Sequence, residues 1–142
     1  MAKYFLSVIF VLTVLITVPI PLVNNLLAKE VAGDVREIKL PSDVVYVESF
    51  SQAGKFVGNG NGLQYIGGIL IKSDLSAEAL QDYYLQHGLE CTVERQFDNS
   101  LKFDQGGISL KNKISGDDYY VVYTWGNKYC NSIIADLDIR GH

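Results

Sequence analysis

The sequence predicts an α+β protein in which one N-terminal transmembrane helix precedes a compact domain. The domain is expected to hold a mostly antiparallel sheet of about five to six strands, ordered ββα and then a β meander, with one helix packed on one face. Three observations predict this class. Residues 4–28 carry no charge, residues 77–87 place apolar side chains at helical spacing, and residues 89–97 alternate between apolar and polar.

Composition limits the classes of protein that fit. The chain has 142 residues, 48% hydrophobic and 20% charged, so it can bury a core and is not a disordered polyelectrolyte. The net charge is −4 and no basic cluster interleaved with aromatics occurs, which argues against nucleic acid as a partner. The only histidines are His87 and His142, and no cofactor motif stands out, so we expect no metal site and no cofactor.

The uncharged run at residues 4–28 predicts a membrane anchor within residues 1–28. At about 1.5 Å per residue, such a helix exceeds the roughly 30 Å of a bilayer's hydrocarbon core. Pro19 and Pro21 are expected to bend its outer end. The lipid bilayer is therefore the expected partner of residues 4–28. A signal peptide cleaved after Ala28 is the alternative, although the apolar run is longer than a typical signal core.

The flanking charges give a mixed signal for orientation. Lys29, Arg36 and Lys39 follow the run, whereas Lys3 and the α-amine precede it, and the positive-inside rule alone would place the domain in the cytoplasm. An N-terminal span followed by a globular domain usually acts as a signal anchor. We therefore expect a single-pass protein of the cell membrane with its domain outside the cytoplasm. The charged residues 29–40 predict a stalk, and the domain is expected at residues 41–142.

The domain's elements follow in order. A β-branched and aromatic run predicts a strand at residues 43–50, and a glycine-rich loop at 54–62 leads to a second strand at 63–71. Ser76 is suited to cap a helix that stops at Gly88. Further strands are expected at residues 89–97, 101–103, 108–111 and 119–125. Alternation of Ile133 and Ala135 with polar neighbours predicts a last strand at residues 133–139.

The glycine-rich loop is the first candidate for ligand binding. Gly58, Asn59 and Asn61 lie in it, and backbone N–H groups of such a loop can bind an anion or a sugar. A plain turn is the alternative, because the loop lacks the Gly-Lys-Ser/Thr ending of a phosphate-binding P-loop.

The aromatic residues near the sixth strand are the second candidate. Tyr120, Trp125 and Tyr129 could form a platform for a glycan or a peptide. Core packing is the competing interpretation, because residues 119, 121, 123 and 125 share one face, as expected for a sheet packed under the helix.

The C-terminus is the third candidate. Asp136, Asp138, Arg140 and His142 could hold a cation or form an acid/base pair, and a salt-bridged strand end is the alternative. An enzyme would need this cluster to meet the glycine-rich loop in one cleft.

The two cysteines, Cys91 and Cys130, could form a disulfide. Outside the cytoplasm two cysteines in a small domain often form a bridge, and closing this loop would contribute roughly 4 kcal/mol. Two separate core thiols are the alternative.

Three segments carry a resemblance to a known group. AGKFVGNGNG at residues 53–62, IKSDLS at 71–76 and DIRGH at 138–142 resemble segments of small uncharacterised single-pass membrane-anchored proteins of Gram-positive bacteria. The resemblance implies an anchor, a location and a fold class, and it implies no activity and no site residues. We therefore expect a non-enzymatic binding or accessory module that contacts a wall component, a peptide or another membrane protein. An enzyme using the C-terminal cluster is the alternative.

Overall fold

The computed structural model describes residues 2–17, 19–58 and 62–142. Helix α1 spans Ala2–Thr17 and α2 spans Pro19–Glu37. The domain continues with strands β1 (Val44–Gly54) and β2 (Gln64–Ser73), helix α3 (Ala77–Gln86) and four further strands. These are β3 (Thr92–Arg95), β4 (Ser100–Phe103), β5 (Gly106–Ser109) and β6 (Tyr119–Trp125). The short helix α4 (Ile133–Asp136) lies between 3₁₀ turns at Asn127–Tyr129 and Ile139–Gly141.

The helix predicted over residues 4–28 corresponds to α1 and the first part of α2. Val18, which stands between the two described helices, lies outside the described residues. Within the described part of the chain, none of the helices combines the length and the apolar character needed to cross a membrane.

The predicted stalk is wrong, because α2 belongs to the domain. Ala28, Val31, Ala32 and Val35 are buried and recur at helical spacing, so one stripe of α2 packs on the sheet. Charged side chains that suggested a stalk, Lys29, Glu30, Arg36 and Glu37, are exposed on this helix. The domain therefore begins within α2 and not at Pro41.

All strand pairs are antiparallel, which confirms the predicted α+β class with a mostly antiparallel sheet. The main sheet has the order β1-β2-β6-β3, and β4 and β5 form a separate hairpin. The predicted meander is wrong, since β6 inserts between β2 and β3. The central strands β2 and β6 are buried on both faces, which explains their continuous apolar runs.

Two layers cover the sheet. On one face, α2 and α3 pack through Val35, Leu80 and Tyr84 against Ile69 and Val122. On the other face, the hairpin contributes part of a second cluster. That cluster contains Phe50, Phe56, Ile66, Leu70, Leu101, Ile108, Leu110, Ile114, Val121 and Tyr123. Residues 119, 121, 123 and 125 do share a face, but the hairpin covers it and the helices cover the other one.

Helix α2 approaches the sheet most closely at Gly67 of β2. A Cβ atom at this position would lie 2.2 Å from the backbone nitrogen of Ala32, a distance that no side chain tolerates. The glycine is therefore required for the close contact between helix and strand.

Helix α3 is capped as predicted. The hydroxyl of Ser76 accepts a hydrogen bond from the backbone N–H of Ala79, and Gly88 follows the helix with a φ of 82°.

The predicted last strand is wrong. The Ser132 hydroxyl accepts a hydrogen bond from the backbone N–H of Ala135 and starts α4. Of the four residues expected to point inward, only Ala135 is buried, while Ile133, Leu137 and Ile139 are 77%, 56% and 82% exposed. The alternating pattern thus reflects an apolar surface and not a strand.

Candidate functional site

An open cleft of about 510 Å³ lies where β6 ends and β2 begins. Its described lining residues are uncharged and combine one indole ring with amide side chains. The lining residues are Val57, Gly62, Leu63, Gln64, Tyr65, Trp125, Asn127, Cys130 and Asn131. Such a lining suits a ligand that is neutral, partly apolar and rich in hydrogen-bonding groups.

Trp125 is positioned by the sheet and by other aromatic rings. It is the last residue of β6 and pairs with Ile66 of β2. Its ring centroid lies 5.4 Å from that of Phe103 and 6.0 Å from that of Phe56, and the side chain is half-buried. Edge-to-face packing of this kind fixes the orientation of a ring, so the indole is preorganised in the cleft wall.

The glycine-rich loop borders this cleft and its ends are fixed. The Gln64 side-chain oxygen accepts hydrogen bonds from the backbone N–H groups of Phe56 (2.8 Å) and Val57 (3.0 Å), and its NH₂ group donates to the Val57 carbonyl. At the other end, the Gly62 N–H donates to the Gly141 carbonyl at 2.8 Å. The predicted ligand residues Asn59 and Asn61 lie outside the described residues, and Gly58 lies at the edge of the described part.

Asn127 and Asn131 supply free amide groups to the cleft. Both side chains are exposed, and none of the residues that the structure describes forms a hydrogen bond with either amide. Each amide offers one acceptor and two donor hydrogens, which matches the hydroxyl and acetamido groups of a sugar. Sequence analysis missed both residues. The turn at Gly126, whose N–H donates to the Tyr65 carbonyl, is what brings them next to Trp125.

Tyr120 and Tyr129 do not belong to an aromatic platform with Trp125. Tyr120 is only 2% exposed, and its hydroxyl accepts a hydrogen bond from Arg95 at 2.8 Å. Tyr129 donates its hydroxyl hydrogen to the Glu30 carboxylate at 2.6 Å and packs edge-to-face on Tyr65. The expectation that Tyr120 binds a ligand is therefore wrong, because its side chain is part of the core beneath α3.

The C-terminal cluster holds the chain end in place. The Asp138 side chain is fully buried and accepts hydrogen bonds from Arg140 Nη2 (2.7 Å) and Asn24 Nδ2 (2.8 Å). The Arg140 side chain holds the pKa of the Asp138 carboxyl at about 2. A carboxylate in this state cannot serve as a general base or acid near neutral pH.

Asp136 and His142 lie apart from that pair. Both are exposed, and a ring nitrogen of His142 lies 2.9 Å from the backbone carbonyl oxygen of Asp136. None of the four C-terminal side chains is among the described residues that line the cleft beside Trp125, although the Gly141 carbonyl between them accepts a hydrogen bond from Gly62 at the end of the glycine-rich loop. In the described ranges, there is no group of three or more His, Cys, Asp or Glu side chains that could hold a metal ion.

Both cysteines are free thiols, so the disulfide considered from the sequence is not formed. Cys91 packs beside Val93 under the helices, whereas Cys130 packs beside Tyr65 near the cleft. Burial raises the pKa of the Cys91 thiol to about 11 and also raises the pKa of Cys130. Neither thiol is therefore activated as a nucleophile.

Comparison with known proteins finds no family model, no curated protein and no solved structure that matches the chain. The resemblance to membrane-anchored proteins of Gram-positive bacteria stays a prediction.

Proposed function

We propose that this protein is a non-enzymatic binding module whose cleft beside Trp125 takes an uncharged saccharide, such as the sugar portion of a wall component. The observation that carries the proposal is one oriented indole in an open cleft, together with two amides that have no hydrogen-bond partner among the described residues. The apolar C–H face of a sugar ring stacks on an aromatic ring, and its hydroxyl groups bond to amides.

We propose further that the chain is held at a membrane through its N-terminus, with the domain outside the cytoplasm. Tyr4, Phe5, Leu6 and Phe10 of α1 are all at least two-thirds exposed, and no charged residue occurs between Tyr4 and Ala28. A lipid environment would cover this surface. Because Asn24 is buried in the domain, the lipid-contacting part would end near Val23, earlier than residue 28.

The chain end continues the same apolar surface. Ile133, Leu137 and Ile139 are exposed, and Arg140 donates hydrogen bonds to the side-chain oxygen of Asn25 (2.8 Å) and to the Pro21 carbonyl (3.3 Å). These contacts put the exposed C-terminal apolar side chains beside the start of α2. A domain resting on the lipid interface would bury both groups together.

The saccharide proposal is tested by calorimetric titration of the full chain in detergent micelles with a soluble oligosaccharide of N-acetylglucosamine. We expect saturable binding that weakens about fivefold in Asn127→Ala and in Asn131→Ala, because a lost hydrogen bond to a neutral group costs about 1 kcal/mol. Gln86→Ala, which removes an exposed amide at the end of α3, is the matched control. Binding that is absent, or that survives loss of both cleft amides, would overturn the proposal.

The location is tested separately by protease treatment of intact spheroplasts that carry a C-terminally tagged copy. Loss of the tag without lysis supports an outside domain held at the membrane. Protection of the tag until lysis would place the domain in the cytoplasm and remove the wall component as a ligand.

A further inference from the structure

The two edge strands of the main sheet differ in whether a side chain bonds to their outward backbone groups. At the β3 edge, the Gln81 side chain accepts a hydrogen bond from the Val93 N–H at 3.1 Å and donates to the Cys91 carbonyl. A side chain of α3 thus occupies backbone groups that could otherwise pair with another strand. Covering an edge in this way is a common protection against strand addition.

The β1 edge has no such cover. In an antiparallel pair, every second residue turns its N–H and C=O away from the partner strand. Among the described residues, no backbone group or side chain forms a hydrogen bond with the outward backbone groups of residues 49–52. A register shift between Tyr46 and Glu48 disrupts pairing at the start of the strand, so the regular open edge begins after Glu48.

This open edge forms the floor of a groove of about 510 Å³. One wall is α2, through Lys29, Ala32, Gly33 and Arg36, and the other is the end of the β4-β5 hairpin, through Ile108, Ser109 and Lys111. A second cavity of about 660 Å³ shares Lys29, Ser51 and Gln52 with the first and extends the groove toward Leu22 and Arg140. The groove is therefore open along the strand.

The groove is basic in a protein that is acidic as a whole. Lys29, Arg36 and Lys111 line it, and no carboxylate in the described part of the chain forms an ion pair with them. Among the described lining residues the one acid is Glu48, whose carboxylate accepts hydrogen bonds from the N–H groups of Lys111 (3.2 Å) and Asn112 (2.9 Å). Three cations thus remain available to a ligand of opposite charge.

We propose that this groove binds an extended, acidic segment of a partner polypeptide, which adds to β1 as a fifth strand of the sheet. The free backbone groups of residues 49–52 would supply main-chain hydrogen bonds, and the three cations would select acidic side chains. The site is distinct from the saccharide cleft, and neither proposal depends on the other. Partner and sugar would contact different surfaces of one domain.

The test uses fluorescence anisotropy of a labelled, capped peptide of alternating Thr and Glu, titrated with the full chain in detergent micelles. We expect saturable binding that weakens as salt is added, and no binding of the same peptide with Lys in place of Glu. Two further peptides carry N-methyl groups on alternate backbone nitrogens, one at the odd positions and one at the even positions. One of the two should lose binding and the other should keep it, because only one set of N–H groups faces β1.

Variants of the protein locate the site. Lys29→Ala combined with Arg36→Ala should weaken binding about tenfold, because each lost cation removes a partly exposed ion pair with an acidic side chain of the peptide. Gly33→Leu should also weaken binding, because a Cβ at Gly33 meets no atom within 4 Å and a larger side chain would fill the groove without disturbing the helix. Lys102→Ala, an exposed lysine of the hairpin outside the groove, is the control.

Three outcomes would overturn the proposal. Equal binding of the Glu and Lys peptides would remove the charge selectivity on which it depends. Binding that tolerates both the double variant and Gly33→Leu would place the peptide elsewhere. Self-association of the chain, abolished by Gly33→Leu and observed without peptide, would assign the edge to a second copy of this protein.

Discussion

The Asn24 side chain donates a hydrogen bond to the Asp138 carboxylate at 2.8 Å, and it joins the first turns of α2 to the end of the chain. Both side chains are buried, and Tyr65 of β2 completes the connection by donating its hydroxyl hydrogen to Asn24 Oδ1 at 2.7 Å. The network links three segments that are distant in sequence. It therefore holds the C-terminal residues in place and is not a reactive site.

Removing the charge of Asp138 should destabilise the protein. Asp138→Asn keeps the shape of the side chain but leaves the Arg140 guanidinium, which is one-third exposed, without its counter-ion. We expect a loss of about 2 to 3 kcal/mol in the free energy of unfolding, below the full cost of breaking a buried pair because water reaches Arg140. Urea unfolding of the full chain in micelles measures it, with Asp136→Asn as the control. An unchanged midpoint for Asp138→Asn would refute the structural role.

The same pair predicts a dependence on pH. The folded-state pKa of Asp138 is lowered to about 2, mainly by the Arg140 side chain. Its unfolded value is about 3.9, so the stabilisation is fully present above about pH 4 and is lost as the pH falls toward 2. The difference in unfolding free energy between the native chain and Asp138→Asn should shrink across this window. A difference that stays constant down to pH 2 would contradict the assignment.

The contact between α2 and β2 predicts opposite effects at two glycines. Gly67→Ala should cost about 3 kcal/mol or more, because its Cβ would collide with the backbone of Ala32 and push the helix from the sheet. Gly33→Ala lies on the same helix in open space and should be neutral or stabilising by up to about 1 kcal/mol. Thermal unfolding compares the two. Similar effects of both substitutions would mean that α2 does not lie on the sheet as described.

The two thiols should be slow to react in the folded protein. Burial raises the pKa of Cys91 to about 11, so little thiolate is present at neutral pH. We expect iodoacetamide to modify neither cysteine rapidly in the native chain and both after denaturation without reductant, as measured by mass spectrometry. An intact mass that shows the loss of two hydrogens before reduction would instead demonstrate a bridge between Cys91 and Cys130.

Local signals in the sequence predicted much of the domain. The cap at Ser76, the stop at Gly88 and the β-branched runs of β1, β2 and β6 act within a few residues, and their elements appear where expected. The predictions of a stalk and of a last strand were wrong for a different reason. The charges of residues 29–40 fit either a stalk or a packed helix, and only the burial of Val31 in the folded domain distinguishes the two. The alternation of residues 133–139 fits either a strand or an exposed apolar surface, and only the exposure of Ile139 distinguishes these.

The candidate site was predicted only in part. Trp125 and the glycine-rich loop were identified by their composition, and they border one cleft. Asn127 and Asn131 were not, because exposed asparagines occur in most loops and their proximity to Trp125 depends on the turn at Gly126. The basic groove was not predicted either, because Lys29 and Lys111 come together only when α2 packs beside the hairpin.

The most direct test of the saccharide cleft uses the intrinsic fluorescence of Trp125, the only tryptophan in the chain. An oligosaccharide of N-acetylglucosamine that stacks on the indole should change the intensity and the emission maximum saturably, and the variant carrying both Asn127→Ala and Asn131→Ala should shift the curve to higher sugar concentration. Emission that stays constant up to millimolar sugar, in a chain shown to be folded, would contradict binding beside Trp125.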